Sequence, residues 1–141
     1  MLKGVCRMIG CYLMFDGRCA QALAVYEEAL GAKVTEMQTY GDMPPNPAFP
    51  IAERDKGLVL HAKLPVEGFE IMCADSKERM TPGDNMYVTI TTGDEAMVRR
   101  AWAILAQDGK VYMELQPSFF AKLHGSLRDR FGVNWMFTAQ H

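Results

Sequence analysis

The chain repeats itself. FDGRCAQALAVYEEALGAKV, beginning at Phe15, is answered by TTGDEAMVRRAWAILAQDGKV, beginning at Thr91. In each copy an apolar run closes on an acidic residue beside glycine (Asp16 with Gly17, Gly93 with Asp94), an amphipathic helix follows, and a lysine-valine pair opens the next strand. Asp16 to Lys33 and Asp94 to Lys110 span nearly the same length, so one supersecondary unit is used twice. Two stacked copies of one unit can enclose a pocket between them, and that is the strongest constraint on both fold and function.

With 141 residues, 49% of them apolar, the chain has material for one domain with a real core. It reads as a single domain over residues 1–141, with modules at 9–75 and 85–138 joined by a linker at 76–84. The net charge is only −2 and the basic residues are scattered, so the footprint of a nucleic-acid binder is missing. No stretch approaches the length that spans a bilayer. Lys3 and Arg7 precede MIGC, which looks like the end of a lipoprotein signal, but the few apolar residues between Arg7 and Cys11 fall short of a signal's apolar region. Cys6, Cys11, Cys19 and Cys73 show neither a Cys-x-x-Cys nor zinc-like spacing and read as small apolar residues, so a reducing, cytoplasmic setting is expected.

Ile9 to Phe15 alternates as a strand, Asp16 is placed to cap the helix over residues 18–30, and Gly31 stops that helix. Lys33 to Tyr40 reads as a second strand. The proline-rich stretch after it makes residues 41–56 a long loop. Gly57 to Leu64 and Phe69 to Ala74 read as a hairpin with a four-residue connection, PVEG. Pairing Leu64 with Phe69 sets Lys63 against Glu70 and His61 beside Met72. The second copy gives a strand at 85–91, a helix at 94–107, a short strand at 110–114, a loop at 115–122, and a closing hairpin of 122–128 against 133–138.

Strand side chains alternate between faces, and the apolar face should meet the helix. That sends Cys11, Leu13, Phe15, Leu58, Leu60, Ala62, Leu64, Met86, Val88 and Ile90 inward. The opposite faces then collect Tyr12, Met14, His61, Met72, Tyr87, Thr89, Asn134 and Met136. This set is apolar with a few hydrogen-bonding tips, the usual lining of a small-molecule pocket; it would equally fill a barrel centre or a dimer contact. Phe119 and Phe120, with Met43 and Phe49 on the other long loop, are placed to roof it.

On the duplicated strand-helix-three-strand unit, the FDG opening with its AVYEEALGAKV helix, the LHAKLPV strand, FEIMCAD and the closing LRDRFGVNWMF together resemble the vicinal-oxygen-chelate superfamily. Within it the chain is most similar to the PhnB-like branch, also described as a demethylubiquinone methyltransferase domain. The resemblance implies an α+β fold in which two βαβββ modules form a curved mixed sheet around a central cavity, the glyoxalase and bleomycin-resistance fold. It also implies a homodimer. Metal-dependent members of the superfamily offer one ligand from each of four strands, and those places fall here on Tyr12, Met72, Tyr87 and Met136. Thioethers suit soft copper(I) and neutral phenols are poor ligands, so no metal is expected at this place.

His61 is the one histidine expected inside, and it suits either a general base or a hydrogen-bonded lining residue that orients Tyr12 or Tyr87. His124 and His141 are expected to be exposed. No glycine-rich loop follows a strand in the manner that a nucleotide or S-adenosylmethionine needs, so no cofactor is expected. Three functions remain open. The first is a metal-free binder of a small molecule, lined by Tyr12, Met14, His61, Met72, Tyr87, Thr89, Met136, Phe119 and Phe120. The second is a lyase or isomerase of a small oxygenated metabolite, with His61 as base and Tyr12 or Tyr87 stabilising an enolate-like intermediate. The third is a structural or regulatory dimer with a filled cavity.

Overall fold

Burial alternates along the first strand, β1 (Cys11–Phe15), in the computed structural model, which describes residues 9–141. Lys3, Cys6 and Arg7 lie outside the described residues. Helix α1 (Cys19–Leu30) follows, burying Leu23, Tyr26 and Leu30 beside the small residues Cys19, Ala22 and Ala29. It ends because Gly31 turns left-handed at φ 63°. Strands β2 (Glu36–Thr39), β3 (Val59–Val66) and β4 (Phe69–Asp75) complete a sheet ordered β1-β4-β3-β2, with β1 parallel to β4 and the other pairs antiparallel.

The second copy repeats this layout. Strand β5 (Val88–Thr92), helix α2 (Glu95–Leu105) and strands β6 (Lys110–Gln116), β7 (Leu123–Arg128) and β8 (Asn134–Ala139) form a sheet ordered β5-β8-β7-β6, with the same strand senses. The fold is therefore α+β, with two four-stranded mixed sheets, each backed by one helix, and the two helices packed together. None of the described helices is long and apolar enough to cross a membrane.

The expected cap of α1 is wrong. The residue at the N-cap position is Arg18, which makes no side-chain cap, while Asp16 is exposed beside it. The helix start is held instead by Asp75, whose Oδ1 accepts the backbone N–H groups of Gly17 at 3.0 Å and Cys19 at 2.9 Å. Asp75 pairs with Phe15 at the end of the parallel ladder and is 2% exposed, so it reaches inward to amides that a solvent-facing Asp16 cannot. In the second copy the cap is local, and Met97 N–H donates to Asp94 Oδ1 at 3.0 Å.

The first hairpin also differs from its expected form. Only Glu67 and Gly68 form the turn, at φ 40° and 79°, the left-handed pair of a tight primed turn, so Pro65 and Val66 belong to the strand. Leu64 pairs with Ile71 and Lys63 with Met72, two residues from the expected register, and Lys63 finds its carboxylate on β2, in Glu36 at 3.6 Å. A two-residue slip keeps every side chain on its face.

A bulge changes faces further along. Gln38 pairs with His61 but Thr39 with Val59, so Leu60 is the extra residue, and Val59 is buried where Leu58 and Leu60 were expected. Met86 is likewise not inward, at 79% exposed, because β5 begins only at Val88.

The modules are joined by an aromatic cluster of Phe15, Tyr26, Phe131 and Trp135 built around one carboxylate. Asp129, 3% exposed, accepts from Tyr26 Oη at 2.6 Å, Trp135 Nε1 at 2.9 Å, and the N–H groups of Phe131 and Val133 at 2.9 and 3.0 Å. Burial, then the Asp129 charge, pushes Tyr26 well above the ordinary tyrosine range. A hydrogen bond with Cys73, then burial, pushes the Cys19 thiol up too. Both groups hold their protons more tightly folded than unfolded, so their stabilisation is complete below the unfolded values of 9.0 and 10.0 and is lost as pH rises beyond them. Urea unfolding free energy is therefore expected to fall as pH rises from about 9 to about 11, and less steeply in Tyr26→Phe. An identical slope in that variant would remove Tyr26 as a cause.

Candidate functional site

The two registers superpose the modules residue by residue. Met72 lies between Tyr12 of β1 and Lys63 of β3, and Met136 lies between Thr89 of β5 and Ser126 of β7. Tyr12 therefore corresponds to Thr89, not to Tyr87. Tyr87 precedes β5 and sets its ring edge-on to Tyr112, with centroids 6.2 Å apart.

On the first sheet the open face carries Tyr12 (46% exposed) and Met14 (41%), with Met72 and His61 half-buried among them. The Tyr12 hydroxyl and His61 Nδ1 lie 2.9 Å apart and the rings meet at 5.7 Å. Partial burial raises the Tyr12 hydroxyl above the ordinary tyrosine range, so it stays protonated near neutrality and is able to donate. When it donates to Nδ1, the imidazole proton sits on Nε2 and His61 presents a donor to the face; the reverse bond would leave Nε2 a free base. Among the described residues no carboxylate hydrogen-bonds His61.

The second sheet presents exposed Thr89 and half-buried Met136. Phe119 is 98% exposed and Phe120 52%, and Phe120 sets its edge against His124 at 4.9 Å. His124, expected in solvent, is half-buried, with Nδ1 3.0 Å from Thr138 Oγ1. Treating each hairpin alone hid this residue; aligning the two final hairpins, His61 with His124, would have found it. Asn134, expected on the open face, is 5% exposed and tied to Tyr112, Arg128, Gly83 and Met86, where it pins the end of the linker.

A groove of about 700 Å³ separates the edge strands of the two sheets, with Cys11, Tyr12 and Leu13 on one bank and Tyr87, Val88 and Thr89 on the other. Phe69 and Met86 add further apolar surface. Of the nine residues expected to contact a ligand, the groove gathers Tyr12, Tyr87 and Thr89. Met14, His61, Met72, Met136, Phe119 and Phe120 lie outside its lining.

The four strand positions of a metal centre hold a phenol, a hydroxyl and two thioethers, a set that does not fit a divalent cation. Among the described residues no three His, Cys, Asp or Glu side chains come together as a metal site. Each helix start also carries a carboxylate that disfavours a phosphate, Asp75 accepting from Gly17 and Cys19 and Asp94 from Met97.

Comparison with known proteins agrees with this architecture. PA1353 from Pseudomonas aeruginosa is 31% identical, with a TM-score of 0.84 over 96% of this chain and 98% of that one. The PhnB protein from Bacillus cereus is 29% identical, with a TM-score of 0.76 over 94% of this chain and 98% of that one. The fosfomycin resistance protein FosX from Listeria monocytogenes, solved with Mn(II) and a dihydroxypropylphosphonic acid, shares the fold alone, at 9% identity and a TM-score of 0.64 over 100% of this chain and 95% of that one. The sequence pattern of the 3-demethylubiquinone-9 3-methyltransferase family matches residues 7–138. With two βαβββ modules and that match along almost its whole length, the chain belongs to the 3-demethylubiquinone-9 3-methyltransferase (PhnB-like) family.

Proposed function

We propose that the protein binds a small, mainly apolar molecule without a metal, in the groove between β1 and β5 and on the sheet faces beside it. The groove carries this reading: about 700 Å³ is the size of a small-molecule site, and its banks are apolar with the polar tips of Tyr12, Tyr87 and Thr89. The donor set at the strand positions supports metal independence, and the carboxylates seated on both helix starts argue against a nucleotide-like cofactor. A homodimer is part of the proposal, since Ile9, Met86 and Phe119 are 98%, 79% and 98% exposed and a second copy would cover them.

A thermal-shift screen of metabolites and hydrophobic drugs against chelator-treated protein tests the site. Compounds that raise Tm are expected to lose their effect in Thr89→Trp, whose indole fills the groove while leaving the core untouched. Equal shifts in that variant would place binding elsewhere.

A further inference from the structure

The duplication has copied more than the backbone. On the first sheet Gln38 of β2 faces His61 of β3, and on the second Gln116 of β6 faces His124 of β7. Paired residues on neighbouring strands share a face, so each sheet carries one glutamine beside one histidine at the same place. The surroundings are alike in kind, though built from non-equivalent positions. Each imidazole has its Nδ1 held by a hydroxyl, that of Tyr12 at 2.9 Å or Thr138 at 3.0 Å, and each has an aromatic ring beside it, Tyr12 or Phe120.

Among the described residues neither Nε2 has a hydrogen-bond partner, and both histidines are half-buried. Both glutamines are exposed. Each sheet thus holds a tethered histidine paired across strands with an exposed glutamine.

We infer that the two modules carry matching recognition sites, Gln38 with His61 and Gln116 with His124, each for an uncharged planar molecule bearing an amide-type group. An imidazole Nε2–H supplies one donor, and a glutamine supplies a donor and an acceptor; together they complement a carbonyl next to an N–H. The adjoining ring packs against the flat remainder of the molecule. On the first sheet the cation nearest His61 in sequence, Lys63, lies 3.6 Å from Glu36, which favours a neutral partner there. The inference rests on the reading that these open faces take small molecules, but it adds a second site and a ligand chemistry which that reading lacks.

The test is NMR of the full chain labelled at histidine rings and methionine methyls, titrated with benzamide and, in parallel, with toluene. Benzamide is expected to shift the ring signals of both His61 and His124 saturably. Gln38→Leu should weaken the first response about tenfold and leave the second intact, and Gln116→Leu the reverse. A response at only one histidine, or one indifferent to both substitutions, overturns the inference. If toluene moves the Met72 and Met136 methyls while benzamide leaves both rings unmoved, the inference fails and the small-molecule reading stands. If neither probe moves any signal, both fail.

Discussion

Replacing Asp129 by alanine is expected to cost about 3–5 kcal/mol, a large part of the stability of a domain this size. The carboxylate is almost wholly buried and accepts four hydrogen bonds, two from backbone amides of the β7–β8 turn and two from Tyr26 and Trp135. Alanine would strand all four donors away from water. Because Tyr26 comes from α1 and Trp135 from β8, the loss also cuts the main polar tie between the modules. Asparagine should fall between, since its amide nitrogen must face a donor wherever it sits. Urea unfolding followed by tryptophan fluorescence reads the effect, and a loss of only a few tenths of a kcal/mol would contradict the assigned role.

The second large effect is expected at Asp75. Its two oxygens accept from Gly17, Cys19 and Val59, joining the start of α1 to two strands. Asp75→Ala should cost about 3 kcal/mol, leaving three buried or part-buried amides unpaired. Asp16→Ala, which removes the residue that the sequence alone nominates as the cap, should stay within about 0.5 kcal/mol. Chemical denaturation of the two variants side by side separates the local from the long-range cap. Equal losses would mean that Asp16 contributes to the helix start after all.

That contrast shows what could be read from the chain alone. The echo of two phrases foretold the element order of both modules, because a repeated unit folds the same way twice. Periodicity placed β1, α1 and α2 within a few residues, since Leu23, Tyr26 and Leu30 leave little choice of helix face. Asp75 was out of reach for a different reason: it lies 56 residues from the amide of Cys19, and no local pattern announces a partner at that distance. Alternation failed at Leu60 because a bulge breaks the two-residue period without changing composition. Pro65 looked like turn material, yet it lies within β3 beyond the stretch that pairs with β2, where its missing N–H forfeits no bond.

The site was legible in its types more than in its arrangement. Tyr12, Met14, His61 and Met72 do share one open face. What alternation could not supply was the relation between modules: that Thr89, not Tyr87, answers Tyr12, and that His124 answers His61. The first follows only from comparing the registers of the two sheets, whereas the second could also have come from aligning the two final hairpins.

Calorimetric titration of a screening hit into protein dialysed against chelator, and into the same protein supplied with Mn(II) or Zn(II), tests metal-free binding in the groove most directly. The predicted result is the same affinity and stoichiometry in both samples. Binding that appears only in the metal-supplied sample would contradict the account.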